Sequence, residues 1–445
     1  MARITRRKLL KLSSASAITA RTGGLATILT LGRAPARAQG ITLHWLRWND
    51  FVPASDEILR KQIAPECQKA LGIKLNIETV NANDIQARTT SSIQSATGPD
   101  IICALGNWPQ LYAESIVDVS DLAEEIGNAQ ADFYEESRLV ANDGKKWIAL
   151  PWCLIAAMLV YRKSWFEEIG YPAGKFPETW EEYRAAGRKL KAMGRPLGQT
   201  LGHTFGDAPA YAYPYTWSWG GKEVEADGKT VVLDSKATVD AVKFMAGFWK
   251  DAYDEGGLAW DDTSNNRAFL SGTISCTING ASIYLEAKRK PDTYLTENGT
   301  PMKDDILHAP LPTGPGGGGQ FGFHVAMSNM LMGYSKNQKA AKEFLRWITS
   351  KEVYQAWFSS QQGFSVGATT IWEHDPLWKN DPVMLPYRVA ARSGRFPGYA
   401  GPADRKAAEV LSKYIIVDMY AKAVQGTSAE NSVRWAHEEV GKIHA

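Results

Sequence analysis

The residues of this 445-residue chain that could do chemistry do not fall into the spacing of a familiar catalytic motif. The seven histidines form neither H-x-x-H nor H-E-x-x-H, and no G-x-S-x-G nucleophile elbow is present. The glycine run at 314–319 lacks the Lys and Ser or Thr of a phosphate-binding loop. The carboxylates of Glu181 and Glu182 fall on a predicted exposed helix face, where solvated charge is usual. No motif therefore favours an enzyme, and only folding could bring a catalytic carboxylate pair together.

Metal and redox chemistry are also poorly supported by the spacing of ligand-type residues. The acids and amides at 261–266 are similar to a cation loop but lack the central Gly and terminal Glu of an EF-hand. The cysteines show no C-x-x-C pair, and two of them stand in strand-like apolar runs. An exported protein could pair them, but we expect four buried thiols: Cys67, Cys103, Cys153 and Cys276. No cofactor is predicted.

Aromatic side chains are the residues most available for ligand contact. All 16 Trp follow residue 44, and this is an unusually large number of Trp. Residues 211–221 read YAYPYTWSWGG, with an aromatic ring at every second position of the first nine. This period suggests a strand, but Asp207 as N-cap, Pro209 in the first turn and glycines at 220–221 favour a helix, which Pro214 should bend.

On such a helix the aromatic run divides into two stripes. Tyr211, Tyr215 and Trp219 share one face, and Tyr213 and Trp217 lie nearly opposite. The run is therefore not one platform, and we expect the two Trp to belong to a core.

The elements that must position these residues begin as alternating strands and helices. Strands are predicted at 41–48, 73–80 and 99–105, with helices at 55–72 and 84–98 between them. Ser55 is the expected N-cap of the first helix and Gly72 its end. This βαβαβ order predicts a parallel sheet covered by helices.

The rest of the chain continues the mixed α/β pattern. Pro151 breaks the apolar run 146–163 into two strands that meet at a crossover. Further predicted elements are helices at 177–194 and 235–256, a helix and strand at 265–280, a flexible loop at 312–323, a helix pair at 337–360 and a helical tail from residue 403.

The N-terminal 38 residues have the character of an export signal rather than of a fold. They combine the Arg6-Arg7 pair, a short apolar stretch at 25–31 and an Ala36-x-Ala38 cleavage site, which resembles a twin-arginine signal peptide. Removing their eight basic residues leaves 42 basic against 48 acidic residues, a net charge of −6. Nothing basic then favours nucleic acid, and no later stretch predicts a membrane span. We expect a periplasmic protein.

An ordered set of motifs carries a family resemblance over nearly all of residues 41–445. The motifs are TGPDII (97–102), WIALPW (147–152), VYRKSWFEEIG (160–170), FPETWEEYRAAGRKL (176–190), NNRAFLSGTISCTING (265–280) and AAKEFLRWITS (340–350). In this order they resemble the family 1 extracellular solute-binding proteins of sugar ABC transporters, the maltose-binding-protein-like group.

The resemblance implies the two-lobe periplasmic binding protein fold (type II), with three chain crossings near 153–157, 322–326 and 364–370. Lobe 1 would comprise 41–154 with 323–366, and lobe 2 would comprise 155–322 with 367–445. A sugar or sugar alcohol would bind between the lobes, which close by hinge motion. The expected partners are the permease subunits and their cytoplasmic ATPase, and a monomer is expected.

The resemblance, together with the positions at which parallel strands end, also implies the ligand-binding residues. Aromatic rings would cover the apolar faces of a sugar, and polar groups would pair with its hydroxyls. The candidates are Trp48, Asn49, Asp50, Asn107, Trp108, Trp152, Asp207, Tyr211, Asp261, Asn279, Gly280, Trp372 and Tyr399. Among them Asp207 and Tyr211 would lie at the cleft because the family places the start of the aromatic helix there.

Departures from the family pattern leave the solute open. This chain has Ala208-Pro209-Ala210 where maltose-binding members carry acid-Pro-Tyr, and Ile155 where they carry an acid, so maltose is not expected. A non-sugar solute is the alternative: a polyamine would need several acids beside aromatic rings, and glycerol phosphate would need basic groups or a helix N-terminus. A secreted carbohydrate-active enzyme is the third hypothesis.

Overall fold

The structure is a computed structural model that describes residues 40–172, 174–315 and 319–445. The export signal predicted at 1–38 lies outside the described residues, as does part of the loop predicted at 312–323. Within the described ranges, no helix combines the length and apolar character needed to cross a bilayer.

Nine strands and 18 α-helices alternate along the described chain. The strands are β1 (Thr42–Trp48), β2 (Lys74–Val80), β3 (Ile101–Leu105), β4 (Leu150–Ile155), β5 (Met158–Arg162), β6 (Cys276–Asn279), β7 (Ile306–Ala309), β8 (Val325–Leu331) and β9 (Val366–Gly367). The helices are α1 (Pro53–Ile58), α2 (Ala64–Leu71), α3 (Ile85–Ser95), α4 (Ser120–Ala129), α5 (Glu135–Ala141), α6 (Lys163–Glu168), α7 (Trp180–Ala192), α8 (Asp207–Ser218), α9 (Lys236–Ala252), α10 (Ser264–Leu270), α11 (Ser282–Arg289), α12 (Gln338–Ile348), α13 (Lys351–Ser360), α14 (Leu377–Asn380), α15 (Leu385–Ala390), α16 (Arg405–Ser412), α17 (Ile415–Val424) and α18 (Ala429–His444).

Six strands form one sheet in the order β2-β1-β3-β8-β4-β9. The first three strands of the chain run parallel, as their alternation with helices predicts. β8 then runs antiparallel to both β3 and β4. All residues of β3, β4 and β8 are buried, which explains the apolar character of β3 and β4, whereas β8 also buries Ser328 and Asn329. We call this sheet, with α1–α5, α12 and α13, the six-stranded lobe.

The other three strands form a separate antiparallel sheet in the order β6-β5-β7. This sheet and the helices around it, including α7–α11 and α16–α18, are called the three-stranded lobe. Only residues 156–157 separate β4 in one sheet from β5 in the other. The predicted pair of strands meeting at a crossover is therefore confirmed, but the break falls at residues 156–157 and not at Pro151, which lies within β4.

Local signals explain where several helices begin and end. Thr179 and Glu182 form a reciprocal capping box at the start of α7. Gly72 ends α2 with a left-handed φ of 71°, as predicted. Two predicted N-caps were wrong, by three residues in one helix and by one in the other: α1 begins at Pro53 with Val52 as its N-cap instead of Ser55. In α8, Gly206 occupies the N-cap position and Asp207 is the first helical residue.

The aromatic run is a helix, and both of its stripes are core. The Tyr211 and Tyr215 rings stack at 5.8 Å, and the Tyr213 and Trp217 rings lie 5.7 Å apart on the other side. Every residue of α8 is buried. A helix that is apolar all round is enclosed on all sides, so α8 is the central helix of its lobe. The four cysteines are buried free thiols, as expected.

Candidate functional site

A cavity of about 40 Å³ lies where the two lobes meet, and both lobes line it. Since a water molecule needs roughly 10–15 Å³, the cavity has room for about three waters. The six-stranded lobe contributes Trp48, Phe51, Ile155, Val325 and Phe364, and the three-stranded lobe with the connection to it contributes Ala157, Phe205, Gly206, Asp207, Ala210, Asp262, Asn279, Gly280 and Ser282. Each of the segments 153–157, 322–326 and 364–370 supplies at least one of these residues.

Four aromatic rings surround one side of the cavity, with Trp48 at their centre. The Trp48 ring meets the edges of Phe51 and Phe205 at 5.4 and 5.5 Å and lies nearly parallel to Phe364 at 6.5 Å. Phe205 belongs to the opposite lobe, so its contact with Trp48 joins the lobes. Trp48 is the last residue of β1, at the carboxyl edge of the parallel strands where α/β sheets bind ligands. Its indole Nε1 has no hydrogen-bond partner among the described residues.

A pair of buried carboxyl groups faces the rings from the three-stranded lobe. Asp207 begins α8, and Asp262 stands two residues before α10. The backbone N–H of Asp207 donates to Oδ1 of Asp262 at 2.8 Å, which caps the first turn of α8. The Asn265 side-chain amide donates to Oδ2 of Asp207 at 2.6 Å. Oδ2 of Asp262 has no hydrogen-bond partner within the described chain.

Burial dominates the electrostatics of this pair. It raises the pKa of Asp262 to about 6, although the hydrogen bond from the backbone of Asp207 opposes the rise. Burial, followed by the negative charge of Asp262, raises the pKa of Asp207 well above its ordinary value. No Lys, Arg or His is among the described residues that line the cavity. Burial therefore disfavours the ionised form of both carboxyl groups in this pair.

The turn after β6 completes the polar wall. Oδ1 of Asn279 accepts the hydroxyl of Ser282 at 3.0 Å and the backbone N–H of Ile283 at 3.2 Å, which holds the first turn of α11. A Cβ added to Gly280 would lie 2.9 Å from Cγ2 of Ile155 and 3.2 Å from Cε2 of Phe364. Gly280 therefore allows the lobes to approach closely across this turn.

A second, smaller cavity of about 10 Å³ continues between the lobes on the other side of Phe205 and Val325. Its remaining walls are Leu105, Gly106, Trp108, Pro209, Phe323, Leu411, Ser412 and Tyr414. This cavity is mostly apolar, and Phe205 divides it from the first one.

Five of the 13 sequence-predicted residues line the first or second cavity: Trp48, Trp108, Asp207, Asn279 and Gly280. Three predicted residues that stand next to Trp48 or Trp108 in the sequence do not line either cavity. Asn49 is exposed, and Asn107 is fully buried outside both cavities. Asp50 accepts hydrogen bonds from the backbone of Val52 and the hydroxyl of Ser55, so its carboxylate holds the start of α1.

Three other predicted residues belong to aromatic packing away from the cavities. The Trp152 ring packs on Trp357 at 4.6 Å, inside the six-stranded lobe. Trp372 packs against Phe358 of the same lobe at 4.8 Å. The ring of Tyr399 lies 4.0 Å from the guanidinium of Arg395. None of the three lines either interlobe cavity, although Trp152 and Trp372 line a separate cavity of about 10 Å³ inside the six-stranded lobe.

Tyr211 and Asp261 also lie outside the cavities. Tyr211 is buried and shares a hydrogen bond of 2.7 Å between its hydroxyl and that of Tyr253, because its stripe faces the lobe interior. The Asp261 side chain is more than half exposed and accepts hydrogen bonds from Thr263 and Ser264. The adjacent Asp262 reaches the cavity instead, since consecutive side chains point in different directions.

The other lining residues were not predicted from the sequence, although signals for several existed. Phe51 directly follows the predicted Trp48–Asp50 triplet, and Phe205 stands just before Asp207. Ile155, Val325 and Phe364 lie in the three segments expected to cross between lobes. The described residues contain no cluster of three His, Cys, Asp or Glu side chains that could hold a metal ion.

Comparison with known proteins places the fold and the sequence in one group. Residues 53–355 match the family described as bacterial extracellular solute-binding protein. A probable ABC transporter-binding protein of Deinococcus radiodurans is 26% identical over 256 residues, which cover 55% of this chain and 57% of that protein. The diacetylchitobiose binding protein DasA of Streptomyces coelicolor is 24% identical over 209 residues. That match covers 43% of this chain and 45% of DasA, so the chain spans about half the length of these curated relatives.

Solved structures of the two-lobe periplasmic binding fold match over almost the whole chain. A solute-binding protein of Thermotoga lettingae with bound α-D-tagatose has a TM-score of 0.76 at 18% identity, covering 91% of this chain and 100% of that one. Maltose-bound MalE3 of T. maritima has a TM-score of 0.74 at 21% identity, covering 90% and 99%. The predicted fold class is therefore confirmed.

Proposed function

Because this chain belongs to the bacterial extracellular solute-binding protein family, we propose that it captures a sugar or sugar alcohol between its lobes and delivers it to an ABC import system. The observation that carries the proposal is the composition of the interlobe cavity. Its walls join the rings of Trp48, Phe205 and Phe364 to the polar groups of Asp207, Asp262 and Asn279. Aromatic faces suit the C–H surfaces of a sugar, and carboxyl and amide groups suit its hydroxyls.

The size of the cavity supports a hinge motion. A space of about 40 Å³ is far smaller than a sugar ring, and Trp48 contacts Phe205 across it. A solute therefore enters when the lobes separate, and its contacts with both walls then stabilise the closed form. We propose that the lobes divide near the expected boundaries of 41–154 with 323–366 and 155–322 with 367–445, except that Ile155 of β4, Gly367 of β9 and Trp372 belong to the six-stranded lobe.

The charges of the cavity argue against a phosphorylated solute. Phosphate sites use basic side chains or free helix N-termini. Here the lining residues include no basic side chain, and Asp262 already caps the N-terminus of α8. A phosphate would also meet the carboxyl groups of Asp207 and Asp262, which disfavours the glycerol phosphate alternative.

The solutes of similar structures agree with a sugar or polyol. The T. lettingae protein holds tagatose, and an Agrobacterium radiobacter solute-binding protein with a TM-score of 0.71 and 19% identity holds ribitol. Maltose is not expected here, because Ala208 and Ala210 occupy positions where maltose-binding members carry polar groups. We propose that the chain binds without turnover and acts as a monomer with its permease and ATPase after export by the twin-arginine route.

Tryptophan fluorescence tests the proposal directly. Titration with monosaccharides, disaccharides, oligosaccharides and polyols should change the emission for one group of solutes, with no product detected by chromatography afterwards. Trp48→Phe should remove most of the change because Trp48 lines the cavity. Trp372→Phe is the matched control, because Trp372 is equally buried but lies outside the cavity. An unresponsive protein, or a solute that is converted, contradicts the proposal.

A further inference from the structure

The carboxyl pair of Asp207 and Asp262 has no cationic partner in the described structure. Asp262 is 6% exposed, lines the interlobe cavity, and leaves Oδ2 without a hydrogen bond. The groups that do hold the pair are all neutral: the backbone N–H of Asp207, the side-chain amide of Asn265, the hydroxyl of Thr204 and the backbone of Gly206. Buried carboxylates are normally paired with a positive charge. The pair is therefore incomplete without a further donor, and the cavity is where that donor would fit.

The nearest basic side chain along the chain is committed elsewhere. Arg267 lies on the protein surface, where its Nη atoms bond the hydroxyls of Thr263 and Ser264 and approach Asp261 at 3.7 Å. No Lys, Arg or His lines the cavity in the part of the chain that the structure describes. A positive charge at Asp262 would thus have to come from the solute.

The aromatic side chains that line the cavity also favour a positively charged solute. The faces of Trp48, Phe205 and Phe364 carry negative electrostatic potential and attract a nearby cation. An ammonium group brings three donors and one positive charge, so it can bond Oδ2 of Asp262 and also balance the pair. A hydroxyl brings one donor and leaves the charge unbalanced, and an anionic group would be repelled.

We propose that the solute is an amino sugar with a free ammonium group, which binds against Asp207 and Asp262 while its ring packs among the aromatic side chains. This inference rests on the proposed function and narrows its substrate class. An ammonium group adds an ion pair to its hydrogen bond with a carboxylate, whereas a hydroxyl donates the hydrogen bond without a positive charge. An amino sugar should therefore bind about tenfold or more tightly than the same sugar with a hydroxyl at that carbon.

Calorimetric titration at about pH 7 with matched sugars tests this preference. The probes are glucose, galactose and mannose, their 2-amino derivatives and the N-acetylated forms, which keep the nitrogen but lose the charge. The amino member of at least one set should bind more tightly than both neutral members. In Asp262→Asn the ratio of the affinity for the amino sugar to that for the neutral sugar should approach one, since the amide keeps an acceptor for the Asp207 N–H without the charge. Asp292→Asn, at an exposed site of the same lobe, should leave the ratio unchanged.

The outcomes separate this inference from the proposed function. Neutral sugars that bind as tightly as their amino derivatives overturn the inference and leave the proposed function in place. A preference for the amine that persists in Asp262→Asn also overturns it. If Asp262→Asn does not fold, Asp262→Ser, which also removes the charge, is measured in its place, with the same loss of preference expected. Failure of every neutral and amino sugar to bind overturns both.

Discussion

Replacing Asp262 with Asn should stabilise the protein at alkaline pH and leave its stability unchanged at acid pH. Burial raises the pKa of Asp262 from 3.8 to about 6, so the folded protein binds a proton there more tightly than the unfolded chain does. As pH rises from about 4 to 6, the folded state loses stability relative to the unfolded state, and the full penalty remains above that range.

The rise in pKa sets the size of this effect. At about 1.4 kcal/mol for each pH unit, a pKa of about 6 in place of 3.8 corresponds to a penalty of roughly 3 kcal/mol above pH 6. The asparagine resembles the protonated acid and still accepts the N–H of Asp207. The variant should therefore gain up to about 3 kcal/mol in free energy of unfolding at about pH 8. For a cooperatively unfolding unit of about 150–250 residues, this gain corresponds to a melting temperature higher by roughly 6–12 °C.

Thermal unfolding followed by circular dichroism at about pH 4 and pH 8 measures the difference. Asp292→Asn is the control for removing one negative charge from the same lobe, and it should behave like the parent protein at both values. The reasoning is refuted if Asp262→Asn is no more stable than the parent at pH 8, or if its gain is equal at both pH values. Either result would mean that the Asp262 carboxylate is not destabilised by its burial.

Three other predictions concern binding and export. Gly280→Ala should weaken solute binding about tenfold or more, because its Cβ would clash with the opposite lobe in the closed form. The control is Gly441→Ala, whose added Cβ meets no atom within 4 Å and which should bind the solute normally. Equal affinities of the two variants for the solute would contradict the clash. Trp48→Ala should lose the aromatic contact at the centre of the cavity and reduce affinity by about 1–3 kcal/mol, measured by calorimetry against the proposed solute; unchanged affinity would exclude a ligand at this ring. Lys substitutions of both Arg6 and Arg7 should retain the protein in the cytoplasm, seen by cell fractionation, and continued export would argue against the twin-arginine route.

Much of the fold was predictable because it depends on local patterns. The strands at the start of the chain alternate with capped helices, and that order specifies the parallel part of the sheet. The aromatic run was predicted as a helix despite its period of two, because Pro209 and the glycines at 220–221 bound it. The pairing of β8 with both β3 and β4 was not predicted, since it joins residues more than 150 positions apart.

The site was predicted less well than the fold. Trp48 was predicted because it ends a parallel strand, and Asp207 and Asn279 because the family resemblance places them at the cleft; all three line the cavity. Trp372 was predicted because the C-terminal segment of the family often supplies a stacking ring, but it and Trp152 are both core. Residue type cannot separate a ring that packs inside a lobe from one that faces the other lobe.

By itself, the amino-acid sequence determined the secondary structure, the class of fold and the family, because periodicity, capping residues and motif order are all local properties. Only the tertiary structure decided which acid reaches the cavity. Asp261 and Asp262 are adjacent and chemically identical, yet one is solvated and the other is buried beside Asp207 with an unpaired oxygen. Their difference arises from which side of the chain faces the opposite lobe, and the packing of the two lobes sets that direction.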